Sequence, residues 1–149
     1  MAELTAKLTV RLKGSRGFTL AEILVVTAIF GILAAIAVPQ FAALQPSLRL
    51  NGAARQVFSE LMSARMKAVN ENITYTVTFP NAQTIQIVGS GTKTVDIQTL
   101  YSDVTLSSSA ATINLSSRGT ADVASTITIS NSAGSRTVSV KITGTATIS

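Results

Sequence analysis

An α+β fold, in which one long N-terminal helix leads into a mainly antiparallel β-sheet domain, is predicted by three features of this chain. The 21 residues from Phe18 to Val38 form a strongly apolar run with one ionisable group, Glu22. Beyond them, Leu50, Ala54, Val57, Leu61, Ala64 and Ala68 recur at three- and four-residue steps, the spacing of one helix face. From Ile73 onward the period shortens to two, as a half-buried strand requires. The expected outline is a lollipop: a helical stem, apolar all round in its first half and amphipathic in its second, packed on a sheet. The divisions read from these patterns are residues 1–17, 18–38, 39–72 and 73–149.

The first division is a basic leader. Lys7, Arg11, Lys13 and Arg16 stand against one acid, Glu3, and the first basic residue after the apolar run is Arg49. That asymmetry places the N-terminus on the cytoplasmic side and the rest of the chain across the membrane. As a helix the run from Phe18 to Val38 is roughly 32 Å long, close to the ~30 Å of a bilayer core, so it spans once, with membrane lipid around it. Gly17, which has no side chain, ends the leader. Glu22 is the anomaly: a carboxylate in an apolar setting costs about 2.5 to 3.5 kcal/mol at mid-membrane, less near an interface, and needs a partner.

Arg16-Gly17-Phe18-Thr19-Leu20-Ala21-Glu22-Ile23-Leu24-Val25-Val26 resembles the leader junction of type IV prepilins and type II secretion pseudopilins. The resemblance implies a pilin-like fold, cleavage by a prepilin peptidase between Gly17 and Phe18, N-methylation of Phe18 by the same enzyme, and a role for Glu22 in assembly. It also implies other pilin or pseudopilin subunits and an inner-membrane assembly platform as partners. Localisation follows: a bacterial inner membrane protein with a periplasmic C-terminal domain, found after assembly in a pilus or pseudopilus.

Cleavage would supply Glu22 with a counter-charge. A free α-amine titrates near 7.7 to 8.0 when unperturbed, and that of Phe18 would lie four residues away, about one helical turn. Pairing between subunits would neutralise both groups and set axial register. The rival reading is an ordinary signal or anchor, since Ala35-Ile36-Ala37 has the small-x-small form of a signal peptidase site and would give a chain starting at Val38. The length of the run, the charge at Glu22 and the helical pattern continuing past that cut all oppose it.

Bends are expected in the stem at Gly31, which lowers helix propensity, and at Pro39 and Pro46, which each remove a backbone donor. The amphipathic half has Phe58, Met62 and Val69 widening its stripe, Arg55, Glu60, Arg65 and Lys67 on the remainder, and an end near Asn70 to Asn72. Ile73, Tyr75, Val77 and Phe79 then mark the first strand, with Pro80-Asn81 as a turn and Ile85 and Ile87 on the return. Further strands are read at 94–97, 103–106, 112–115, 126–130 and 137–142. The abundant Thr fits the solvent face of strands.

A second resemblance covers the external domain. Leu61 to Asn70, and Ile113 to Gly119 followed by Ile127-Thr128-Ile129 and a Gly-bearing hairpin, are similar to the minor pseudopilin H (GspH) and FimT/FimU minor pilins. Gly119 reads as a turn residue needing positive φ.

Composition argues against catalysis. The chain has no Cys and no His, so no thiolate, no disulfide and no imidazole base. Glu71, Asp96, Asp103 and Asp122 are widely spaced and fall in no acid/base or ligand motif, so no cofactor or metal is expected, although calcium in some pseudopilins draws attention to Asp103 and Asp122. Past the leader the side chains carry eight basic and six acidic groups, a net of +2. The leading function is therefore a minor pilin or pseudopilin that joins, primes or caps a filament. The alternative is a FimT-type DNA receptor using Arg136 and Lys141, against which stands the lack of a basic tail.

Overall fold

The computed structural model describes residues 17–149. The basic side chains of the leader, Lys7, Arg11, Lys13 and Arg16, lie outside the described residues. Helix α1 (Leu20–Glu71) runs unbroken through Gly31, Pro39 and Pro46. Its length is divided between two compact units, one ending at Gln40 and the other comprising Phe41–Ser149.

In the first unit every described residue from Gly17 to Gln40 is exposed. Its only side-chain hydroxyl within the helix, that of Thr27, donates back to the carbonyls of Ile23 and Leu24, both at 3.0 Å. A hydroxyl satisfied by its own helix can sit in hydrocarbon without an orphan polar group.

The second unit is built on the amphipathic half of α1. Leu50, Ala53, Ala54, Val57, Leu61, Ala64 and Ala68 form its buried stripe. The alanines among them let the helix backbone approach the strands closely. The helix stops in a Schellman cap: Asn72 takes the left-handed conformation (φ 53°), Ile73 N–H donates to Ala68 O at 3.2 Å and Asn72 N–H to Val69 O at 3.4 Å. The helix end read from the sequence is thus confirmed, with asparagine supplying the positive φ.

Two four-stranded antiparallel sheets follow. The first has the order β3 (Thr92–Asp96), β2 (Thr84–Val88), β1 (Tyr75–Asn81), β5 (Thr112–Leu115). The second has β4 (Thr105–Ser108), β6 (Ser125–Asn131), β7 (Gly134–Val140) and β8 (Ala146–Ile148) in spatial order. Alternate residues point inward: Tyr75 and Val77, Ile85 and Ile87, Ile113 and Leu115, Ile127 and Ile129, Val138 and Val140. These join the helix stripe in a single apolar core. Thr76, Thr78, Thr126 and Thr128 occupy the opposite faces, half-buried or exposed, as the Thr-rich strands require.

Several boundaries differ from the sequence reading. The first strand starts at Tyr75 rather than Ile73, because the helix cap consumes Asn72 and Ile73. Pro80 and Asn81 belong to β1, and the turn is Ala82-Gln83. The β1–β2 register slips between Thr78 and Asn81, so Pro80 sits at an irregularity where its missing N–H breaks no regular ladder. The run at 94–97 ends at Asp96, whose carboxylate caps a one-turn helix α2 (Ile97–Leu100) by accepting from Gln98 N–H at 2.9 Å and Thr99 N–H at 3.3 Å. The run at 103–106 becomes β4 two residues later, and that at 137–142 becomes β7, starting earlier at Gly134. β8 was not anticipated; three residues are too short to show a period.

Candidate processing and assembly site

The helix start at Leu20 is set by Thr19. Its Oγ1 accepts from Glu22 N–H at 3.2 Å and its carbonyl from Ile23 N–H at 3.2 Å, which makes it an N-cap with Glu22 at the third helical position. The Thr-x-x-Glu spacing is the signature of a capping box and could have been found in the sequence. Phe18 therefore lies just outside the helix and is 76% exposed. Glu22 follows one turn later, in the first turn of α1, where the helix dipole favours an anion. Among the described residues its carboxylate has no ion-pair partner.

A methyl group placed on Gly17 or Gly31 would meet nothing within 4 Å. The chain's own packing therefore gives no reason for glycine at either position. Gly17, Phe18, Thr19 and Glu22 are brought together by the helix start; Gly31 and Pro39 lie further along the same apolar stretch. The most apolar window of α1 has a mean hydropathy of 2.5, and none of it is covered by the rest of the chain. Burial of about 25 cal/mol per Å² is thus left unclaimed along this whole segment, and lipid or other helices must claim it.

Within the second unit, polar side chains that the sequence leaves on the outer face of α1 turn out to be anchors. Glu60 is buried at 6% exposure, accepting from Gln56 Nε2 at 2.9 Å and from Lys93 Nζ of β3 at 2.9 and 2.7 Å. The Nε of Arg65 donates to Gly119 O at 2.7 Å, and its Nη2 to Thr143 O at 3.3 Å. Gly119 does take positive φ, 77°, and so does Gly144, at 75°. Arg65 thus ties α1 to two turns, the β5–β6 connection that links the two sheets and the β7–β8 turn of the second sheet. The two stretches that resemble minor pseudopilins meet at this contact.

Each acid singled out in the sequence has a local partner. The hydroxyl of Tyr75 donates to Glu71 Oε2 at 2.7 Å. That bond, with lesser help from Ser90 and from the charge of Lys67, holds the Glu71 carboxyl below its ordinary value of 4.5 against a small opposing desolvation. The stabilisation from this bond is therefore present above the ordinary carboxylate range and is lost as pH falls through the lowered value. In Tyr75→Phe the Glu71 titration, followed by carboxyl carbon NMR, should move up toward 4.5. Burial tends to raise the Asp122 carboxyl, but the bonds from Asn114 N–H at 2.9 Å and Asn114 Nδ2 at 2.7 Å outweigh it and leave a net lowering. Asp103 lies 3.5 Å from Arg49 Nη1 and accepts from Asn131 Nδ2 at 3.1 Å. Among the described residues no three acidic groups converge on one point. The basic pair of the DNA alternative is separated in role: Arg136 Nε donates to Asn51 Oδ1 at 3.0 Å, whereas Lys141 stands exposed in the turn that carries Gly144.

An apolar N-terminal helix with a single first-turn carboxylate, continued as the covering helix of an antiparallel β domain, defines the class of pilin-like proteins. Residues 53–145 match the family model described as type II transport protein GspH, and residues 12–38 match the prokaryotic N-terminal methylation motif. The chain belongs to the type II transport protein GspH family, a family of minor pilin and pseudopilin structural subunits. Membership implies membrane anchoring through the apolar helix, processing by prepilin peptidase and assembly with other pilin subunits.

Among solved structures, the fold is similar to the type IV minor pilin FimU of Pseudomonas aeruginosa strain PAO1 in two crystal forms. In one the identity is 19% and the TM-score 0.56, covering 67% of this chain and 92% of FimU. In the other they are 18% and 0.57, covering 67% and 87%. No curated protein sequence matches the chain.

Proposed function

We propose that this chain is a non-enzymatic minor subunit of a type II secretion pseudopilus or type IV pilus, which joins, primes or caps the filament. Residues 1–17 are its leader, cut between Gly17 and Phe18, after which Phe18 is N-methylated. Residues 18–38 hold it in the bacterial inner membrane with the N-terminus cytoplasmic and the sheet domain periplasmic, until the assembly platform draws it into the filament. There the freed amine of one subunit faces Glu22 of a neighbour, and Gly31 and Pro39 let the stems adapt to their packing.

The single observation that carries this reading is the uncovered apolar helix with one carboxylate, unpaired among the described residues, at its start. A plain anchor has no use for Glu22, whereas a helix that gains a cationic terminus and identical neighbours does. Mass spectrometry of the native protein from membranes and sheared filaments tests it. The expected mature chain starts at N-methylated Phe18; a start at Met1 or Val38 in assembled material would refute the proposal.

A further inference from the structure

A cleft of about 180 Å³, roughly the share of six waters, separates α1 from the β2–β3 hairpin and has no part in the assembly reading. Ser63 and Lys67 line it from the helix, Ser90, Thr92 and Lys93 from the hairpin, and Tyr75 from below. Their hydrogen bonds show what remains on offer. Both oxygens of the buried Glu60 are occupied by Lys93, and Gln56 adds a further donor. The Tyr75 proton goes to Glu71, and the Ser90 hydroxyl lies 3.0 Å from the Tyr75 oxygen.

What is left unused is mostly donors. Lys93 keeps N–H capacity beyond Glu60, since an ammonium carries three donors, and its side chain is 55% exposed. Lys67 is exposed and has no hydrogen bond or ion pair among the described residues. The N–H groups of Ser90 and Gly91, between two strands, have no backbone acceptor there. Two ammonium groups stand beside one lining carboxylate, that of Glu60, and the Glu71 carboxylate held by Tyr75 brings the local charge to balance, so what the cleft offers a ligand is its unused donors.

We propose that this cleft binds the oxyanion group of a small ligand, a carboxylate or a phosphoryl group, held by Lys67 and Lys93 with the Ser90–Gly91 backbone. The site involves neither Glu22 nor the apolar helix, so its failure would leave the assembly reading standing.

The test uses the ¹⁵N-labelled full chain in detergent micelles, titrated separately with sodium phosphate and sodium succinate at constant ionic strength set with sodium chloride. At least one probe should shift the Ser90 and Gly91 amide resonances saturably, with half-saturation in the millimolar range. Saturation by phosphate alone assigns a phosphoryl ligand, and by succinate alone a carboxylate. Lys67→Gln should weaken binding about tenfold with the remaining spectrum unchanged. Lys93→Gln is the poorer variant because it leaves Glu60 buried without its cation. Shifts no larger than chloride produces, or equal half-saturation in Lys67→Gln, would overturn the site.

Discussion

The Glu22→Ala variant is expected to be cut between Gly17 and Phe18 as the unsubstituted chain is, yet to fall by at least about tenfold in sheared filaments. A tenfold loss corresponds to about 1.4 kcal/mol. Two unit charges about 4 Å apart attract by about 4 kcal/mol at an effective dielectric constant of 20, so losing part of one such pairing suffices. Cleavage should survive because the scissile bond lies five residues before Glu22 in an exposed segment, and because Thr19 caps the helix start through the backbone N–H of residue 22, which alanine retains. Glu22→Gln separates charge from shape: it keeps the size and the cap but removes the anion. Immunoblots of sheared and membrane fractions, with mass spectrometry of the N-terminus, provide the readout. Normal incorporation of Glu22→Gln would show that the charge is not what assembly uses.

The largest expected loss of stability from a single methyl group is at Gly144. Its positive φ alone costs an alanine about 1 to 2 kcal/mol. The added carbon would also collide with the carbonyl of Gly119, the acceptor that holds the Arg65 Nε, and would approach that Nε to 2.9 Å. The turn must shift or the Arg65 bond must break, so Gly144→Ala should destabilise the chain by roughly 3 kcal/mol in total. Gly119→Ala is the control. It pays the same conformational penalty, but its methyl meets side-chain atoms, Val69 Cγ2 at 3.2 Å and Arg65 Nε at 3.3 Å, rather than a backbone carbonyl, so about half the loss is expected. Equilibrium denaturation of the full chain in detergent compares them; equal losses would mean that the collision with the Gly119 carbonyl contributes nothing.

What could be read in the chain follows from how far each cause reaches. The stem was legible because a bilayer demands a long uninterrupted apolar run, and because a helix face repeats at short sequence distances. Strand β5 (Thr112–Leu115) was placed to the residue, and β6 (Ser125–Asn131) to within one, since each buries alternate apolar residues. Gly119 was identified as a positive-φ turn for a similarly local reason. By contrast, β8 (Ala146–Ile148) depends on pairing with β7, and helix α2 depends on the Asp96 cap interrupting an apolar alternation.

The site divides in the same way. Gly17, Phe18 and Glu22 are contiguous with the motif that reveals them, and the capping role of Thr19 was within reach of the same spacing. Glu60 and Arg65 looked like solvated residues on the polar side of a helix. Their partners, Lys93 and the carbonyls of Gly119 and Thr143, lie 33, 54 and 78 residues away. The sequence by itself determined the apolar N-terminal helix and the α+β class, because those rest on composition and on periods of two and near four. Only the tertiary structure decided that the strands form two sheets, that a buried carboxylate is matched by an edge-strand lysine, and that one arginine holds both the connection between the sheets and the β7–β8 turn. Such pairings are chosen by which surfaces meet on burial, and no local period in the chain records that choice.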